Sequence, residues 1–345
     1  MIIFLEDIMK KLRLGIIGCG ARSKAHTSGF VTMENVEVAA VADPIRERAE
    51  AVARIFGCEN IYRDHNELLD NAQGRIDALC IFVDPTAHDE GMELRAIEMG
   101  IPFLVEKPMS RDLSLTERIA RAVEEKGLIT SVGFQDRYLS LVDIIKKDLP
   151  NHKPGGLVYG AWVGGIPGVW WWQKKEYCGG QLLEQNIHLL DGLRYLFGEP
   201  LSVYATSSRG IVTAGVGCSE EYDTDDHSTV VLRFENNVTA TLVSGCYIKK
   251  VVGVRPRCGL YITLEDVVYD YRLRNNLIIN TADGTVDIPR KDDQTHALDR
   301  AFVEAVLTGD RSLIRSDYAD AMKSLRLAFA ANESMESGQV IYFNR

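Results

Sequence analysis

Short apolar runs alternate with amphipathic segments through the first 135 residues. Runs at 12–18, 36–42, 77–83, 101–105 and 129–133 hold few polar positions, as strands covered on both faces do. Between them, segments such as 45–56 and 89–99 repeat apolar residues at helical spacing. This rhythm predicts α/β architecture with a doubly wound parallel sheet. Asn151-His-Lys-Pro-Gly-Gly156 is a turn-rich break, and the pattern changes after it. A helix is expected over 182–197. Strand-like segments follow at 202–207, 229–234, 239–244 and 261–264, with turns such as Glu235-Asn-Asn237 that predict an antiparallel sheet. Segments 297–307 and 317–337 read as amphipathic helices. The domains expected are 1–134, with 1–10 as an extension ahead of the first strand, and 135–345, of α+β type, whose terminal helices can pack back toward the first.

Composition narrows the class. The chain has 345 residues, 46% of them apolar, enough for two cores. A net charge of -10 argues against a nucleic-acid or anionic-membrane partner. No apolar run reaches bilayer length. Met1-Ile-Ile-Phe-Leu-Glu-Asp-Ile-Met9 is too short and too acidic for a secretory signal. The seven cysteines show neither a CxxC pair nor metal-ligand spacing. That fits reduced thiols and a cytoplasmic location, with no metal expected.

The candidate chemistry begins at Leu14-Gly-Ile-Ile-Gly-Cys-Gly20, a strand running into a glycine turn ahead of a helix. Glycines there let backbone approach a pyrophosphate, and the helix N-terminus offers N–H groups to the anion. Ser23 stands where the fingerprint usually has Gly or Ala, and it is small enough for close helix–strand packing. Val36-Glu-Val-Ala-Ala-Val-Ala42 ends at Asp43, placed to accept hydrogen bonds from an adenosine ribose. A carboxylate there repels a 2′-phosphate, so NAD is favoured, with NADP as the alternative. Arg46 and Arg48 read as a solvated helix face.

Val105-Glu106-Lys107-Pro108 closes an apolar strand, and the carboxyl end of such a strand opens onto the ligand crevice. A lysine there can hydrogen-bond a hydroxyl and stabilise a developing alkoxide, or act as a base if its proton affinity is lowered. Glu184 and His188 stand four apart on the expected helix, with Asp191 three further on. A carboxylate beside an imidazole orients it and raises its proton affinity. Trp170-Trp-Trp172 reads equally as a substrate lid or sugar platform, or as the anchor of an irregular loop or a subunit contact. Asp223-Thr-Asp-Asp-His227 lacks the pattern of a calcium loop and reads as a solvated turn.

Together these residues resemble the Gfo/Idh/MocA oxidoreductases, the glucose–fructose oxidoreductase and inositol dehydrogenase group. The resemblance is carried by Gly18-Cys-Gly20-Ala-Arg22, Val41-Ala-Asp43, Glu106-Lys-Pro108, Val132-Gly-Phe-Gln135-Asp-Arg137-Tyr138, and Gly179-Gly180 leading to Glu184 and His188. It runs from about Leu12 to Tyr342, where the tail Ala301-Phe-Val-Glu-Ala-Val also fits. It implies a Rossmann domain followed by an open, mainly antiparallel sheet that often mediates homodimers or homotetramers. It also implies Lys107 as catalytic lysine, His188 as proton-transferring histidine, and Glu184 where many members carry Asp. Cofactor contacts are expected from Gly18, Cys19, Gly20, Ala21, Arg22, Asp43, Glu106, Lys107 and Gln135. Asp84 and Thr86 join them, because Val83-Asp-Pro-Thr86 replaces the usual Thr-Pro-Asn segment. Substrate contacts are expected from Lys107, Arg137, Trp172, Glu184 and His188, and for Arg137 a structural salt bridge is an equal alternative. The expected activity is hydride transfer between NAD(P) and a secondary hydroxyl of a sugar, cyclitol or related polyol. It requires the Lys107 ammonium and the His188 imidazole to meet beside one nicotinamide ring. The alternatives are an NAD-dependent glycoside hydrolase with no net redox change, and a non-catalytic sensor on the same fold.

Overall fold

The computed structural model describes residues 11–88, 91–248 and 258–343. The expected extension 1–10 lies outside the described residues. The chain forms two compact units. The first holds the described residues through Glu106 together with Leu115–Gly133 and Thr295–Ala319. The second holds Lys107–Ser114, Phe134–Gln294 and the chain from Asp320 onward.

The first unit opens with β1 (Leu12–Ile17), α1 (Ala21–Phe30), β2 (Val36–Ala42), α2 (Arg46–Phe56), β3 (Ile61–Tyr62), α3 (His65–Ala72) and β4 (Ala78–Ile81). It continues with α4 (Pro85–His88), α5 (Met92–Glu98), β5 (Phe103–Val105), α6 (Leu113–Lys126) and β6 (Thr130–Val132). The strands make one parallel sheet in the order β3-β2-β1-β4-β5-β6. The order reverses direction beside β1, which creates the switch point where ligands bind in such sheets. Leu14, Ile16, Leu79, Cys80, Phe103 and Leu104 are completely buried, because helices cover both faces. The two-residue β3 is too short to show a period; of the expected helix over 89–99, residues 89–90 lie outside the described residues and the rest is observed as Met92–Glu98 after the N-cap Gly91.

The second unit carries a 3-10 turn at Gln135–Tyr138, α7 (Ser140–Asp148), β7 (Gly156–Val163) and α8 (Lys175–Cys178). The expected helix over 182–197 opens instead with a π-helical turn, Leu182–Asn186, before α9 (Ile187–Phe197). Then come β8 (Pro200–Ser208), β9 (His227–Phe234), β10 (Val238–Gly245), β11 (Gly259–Thr263), β12 (Val267–Arg272), β13 (Asn276–Thr281) and β14 (Gly284–Pro289). The chain ends in α10 (Gln294–Thr308), α11 (Tyr318–Ser337) and the short β15 (Ile341–Tyr342). Nine strands form a sheet ordered β14-β13-β12-β11-β7-β10-β9-β8-β15. All its pairings are antiparallel except β7 with β10, so the sheet is mixed but mainly antiparallel. Alternation decides its faces: Val238, Ala240 and Leu242 are buried while Thr239 between them is exposed. Among the described residues, no helix is long and apolar enough to cross a membrane.

Candidate active site

The glycine turn of the first unit is built by steric need and open space in sequence. Gly18 has φ 86°, and a Cβ on it would lie 2.6 Å from the Phe82 carbonyl oxygen at the end of β4. Gly20, the N-cap of α1, has nothing within 4 Å of a built Cβ, provides no side-chain cap, and is followed by no acidic residue in the first turn. That open cradle at a helix N-terminus fits a pyrophosphate. Ala21, exposed, and Arg22 open the helix, and Ser23 is fully buried. Asp43, buried at the end of β2, accepts N–H bonds from Cys19 (2.7 Å) and Ile45 (2.8 Å). Its carboxylate therefore ties the glycine turn to the next strand, and each oxygen keeps a second lone pair for a ribose hydroxyl. Burial pushes the Cys19 thiol up to about 12, so it stays neutral beside that carboxylate. Past β4, Asp84 accepts from the N–H and hydroxyl of Thr86, which orders the turn into α4.

Glu106 and Arg22 meet within the first unit. Arg22 Nε donates to Glu106 Oε1 (2.8 Å), and the same oxygen lies 2.9 Å from His26 Nε2. The other ring nitrogen of His26 lies 2.6 Å from Asp299. Both ring nitrogens face carboxylates, which only accept when ionised, so the geometry calls for an imidazolium. Burial works against that charge, but Asp299 and Glu106 outweigh it and raise His26 above its usual range. The ring stacks on Phe82 at 4.0 Å. A Cβ at Gly133 would lie 2.7 Å from the Glu106 carboxylate, which explains the glycine after β6. Neither His26 nor Asp299 carried a sequence signal, since they are 273 residues apart.

Lys107 opens the next segment, which belongs to the second unit. The Lys107–Pro108 peptide is cis. Lys107 Nζ donates to the carbonyl of Glu184 and to its carboxylate at 2.7 Å. The sequence reading paired Glu184 with His188; here it holds the lysine. The π-helical turn is the physical reason, because its wider winding takes Glu184 out of the 3.6-residue register of α9. Gly179 and Gly180, with φ 73° and 93°, turn the chain into it.

His188, on the first turn of α9, is buried. Trp162 of β7 stacks beside its ring at 6.0 Å, and Phe134 meets it edge-on at 6.1 Å. Asp136 Oδ2 lies 4.0 Å from His188 Nδ1. Asp136 and Trp162 were missed by the sequence reading, which took Gln135 and Arg137 on either side; nothing local marks the aspartate as the one facing the imidazole. Gln135 is buried in the 3-10 turn. Arg137, also buried, donates to both oxygens of Asp191 (2.8 and 2.6 Å) and pairs with Asp320 at 2.6 Å. The third residue of the expected Glu184–His188–Asp191 stripe thus binds Arg137. A cavity of about 20 Å³ beside His188, Asp191 and Tyr271 has room for about one water, not a sugar.

Trp172 is 1% exposed and packs with Tyr222 and Cys246 under Ile166 and Val212. Trp170, 67% exposed, is the solvent-facing member of the three and meets Tyr177 edge-on at 5.3 Å. The Asp223–His227 segment differs from the solvated turn expected of it. Thr224 and Asp226 are buried, and Asp226 Oδ2 gathers the N–H groups of Gly210, Ile211 and Val212.

Residues 12–134 match a family model described as an oxidoreductase family, NAD-binding Rossmann fold, and residues 157–262 match the GFO/IDH/MocA C-terminal domain. Over 339 residues the chain is 24% identical to scyllo-inositol 2-dehydrogenase (NAD(+)) of Bacillus subtilis, covering 96% of each protein. It is 27% identical to levoglucosan dehydrogenase of Pseudarthrobacter phenanthrenivorans, covering 81% of this chain and 78% of that one. A solved levoglucosan dehydrogenase in complex with NADH and levoglucosan has a TM-score of 0.84 at 20% identity, over 97% of this chain and 100% of the other. At that identity the likeness is one of fold.

Proposed function

This chain belongs to the Gfo/Idh/MocA oxidoreductase family, and we propose that it is an NAD-dependent dehydrogenase of a secondary hydroxyl on a sugar, cyclitol or related polyol. The observation that carries the reading is the Lys107–Glu184 pair, held on the turn that leads directly into His188. Its support is the glycine cradle with Asp43, and relatives that are inositol and levoglucosan dehydrogenases.

NAD, when bound, supplies the acceptor for the substrate's hydride. Gly18, Cys19, Gly20 and Ala21 would hold its pyrophosphate at the start of α1, and Asp43 would take a ribose hydroxyl and disfavour a 2′-phosphate. Asp84, Thr86 and Glu106 would give the cofactor further contacts, with Arg22 fixing Glu106, and Gln135 is a contact that the family resemblance adds. Lys107 donates a hydrogen bond to the substrate hydroxyl and stabilises the alkoxide character that grows on it. His188 receives the proton. Glu184 sets the position of the lysine ammonium and accepts from a neighbouring hydroxyl. The open face of the nine-stranded sheet, where Leu157 and Tyr159 are 58% and 44% exposed, is the surface through which copies associate.

The test is a screen of inositols, sugars and sugar acids with NAD and NADP, followed by the absorbance of the reduced nicotinamide. Lys107→Ala is expected to lower turnover by about a hundredfold or more while NAD affinity stays near wild type. Turnover within about threefold of wild type removes Lys107 from the mechanism.

A further inference from the structure

We propose that Asp136 is a positioning residue that acts on the reaction through His188, and that Arg274 and Trp162 hold the pair in place. The kinetic consequence rests on the dehydrogenase reading above; the geometry does not.

Asp136 projects from the 3-10 turn with its carboxylate 4.0 Å from His188 Nδ1. That is beyond a direct hydrogen bond but within the range at which an opposite charge governs proton affinity. The carboxylate is not left to choose its own position. Arg274 grips it with both arms of the guanidinium, Nε to Oδ1 at 2.7 Å and Nη2 to Oδ2 at 3.1 Å. Arg274 itself sits at φ 55°, in the left-handed region that a side chain other than glycine's rarely enters. Its N–H donates to the Tyr271 hydroxyl (3.2 Å), so the turn after β12 is fastened from two sides. The guanidinium lies 5.7 Å from the ring centre of Trp162, and Trp162 is the ring that stacks on His188 at an interplanar angle of 22°. Four side chains from four separate stretches of chain therefore close a circuit: Asp136, Arg274, Trp162, His188. The three-residue hairpin loop between Arg272 and Asn276 sets this conformation, and from it the Arg274 side chain reaches the Asp136 carboxylate.

The chemistry follows from the two ring nitrogens. With Nδ1 directed to Asp136, Nε2 is assigned to the reacting hydroxyl. As Nε2 takes the hydroxyl proton, the ring gains a positive charge, and Asp136 stabilises that charge without accepting the proton. The proton then leaves Nε2 to solvent and the ring returns to its starting tautomer. The charged and titratable groups around His188 include Asp136 and Arg137 from the 3-10 turn, Tyr271 from β12, Arg274 from the β12–β13 connection, Glu184 from the preceding π-helical turn, and Asp191 and Tyr195 from its own helix. Arg137 and Asp191 neutralise one another, and Arg274 offsets part of the Asp136 charge.

The experiment titrates the full-length protein, labelled with ¹³C-histidine, by NMR; His188→Gln assigns the His188 resonance. Asp136→Asn is expected to lower the His188 midpoint by about one pH unit, a net figure reduced by the Arg274 countercharge. In the same variant, kcat falls about tenfold, KM for NAD is unchanged, and the acid limb of the kcat/KM profile moves down with the NMR midpoint. Asp136→Glu, which keeps the charge, stays within about half a unit of wild type. An unmoved midpoint in Asp136→Asn overturns the proposal, as does an Asp136→Glu midpoint that falls as far as that of the Asn variant. Should Asp136→Asn not fold, Asp136→Ser removes the same charge with a smaller side chain and is read the same way. If the wild type oxidises no polyol, the dehydrogenase reading fails, and the titration still decides the role of Asp136.

Discussion

Replacing Arg137 by methionine separates its two readings, substrate ligand and internal ion pair. The guanidinium is 4% exposed and makes contacts of 2.8 and 2.6 Å to Asp191 and 2.6 Å to Asp320. Burial works against its charge, but Asp191 and Asp320 outweigh this and raise its affinity for the proton. Methionine fills similar volume and removes the charge, leaving Asp191, 2% exposed, without its main partner. Breaking a buried pair from one side costs about 3–5 kcal/mol. Asp191 keeps Ser324 Oγ at 2.6 Å and has Arg194 at 3.8 Å, so the lower end applies. About 3 kcal/mol in a unit of this size corresponds to a fall in melting temperature of about 6–12 °C. Calorimetry and urea unfolding at neutral pH measure it, with KM for the best polyol recorded alongside. Arg137→Met/Asp191→Leu is expected to recover most of the loss, because no buried charge is then left alone. A single variant that melts within about 2 °C of wild type while KM rises about tenfold refutes the argument and makes Arg137 a substrate ligand.

Gly20→Ala, in open space, is expected to keep the wild-type melting temperature but weaken NAD binding, whereas Gly18→Ala forces a Cβ to 2.6 Å from Phe82 O at φ 86° and destabilises by about 1–3 kcal/mol. Calorimetric titration that finds NAD affinity intact in Gly20→Ala moves the pyrophosphate elsewhere. Trp172→Ala opens a cavity in the core shared with Tyr222 and Cys246 and is expected to destabilise by about 3–5 kcal/mol in urea unfolding; a loss below about 1 kcal/mol shows that the indole is not a core anchor. Burial pushes the Asp320 carboxyl up, but Arg137 and Arg194 outweigh it and hold the net value below the ordinary range. Its contribution is therefore present above about pH 4 and is lost as pH falls through the folded value, so the stability gap between wild type and Asp320→Asn closes on acidification. A gap that widens in acid contradicts the ion pair.

Apolar runs buried on both faces, the Gly18–Gly20 turn and Asp43 were legible along the chain, because each is a local rule: strand period, glycine conformation and a carboxylate at a strand end. The parallel sheet followed from them, and the family from these together with Glu106-Lys-Pro108 and the Gly179-to-His188 segment; the strand order came only from the structure. The region after β11 was harder, since β13 and β14 carry polar or exposed residues at positions that break a clean alternation. The residues named for the site were mostly visible as types, but their partners were not. Lys107 finds Glu184 77 residues away, His26 finds Asp299 at 273, and Arg274 finds Asp136 at 138. Local sequence sets which backbone a segment prefers. Which charge neutralises which is decided when packed elements bring distant side chains out of water together, where an unpartnered charge is too unfavourable to persist.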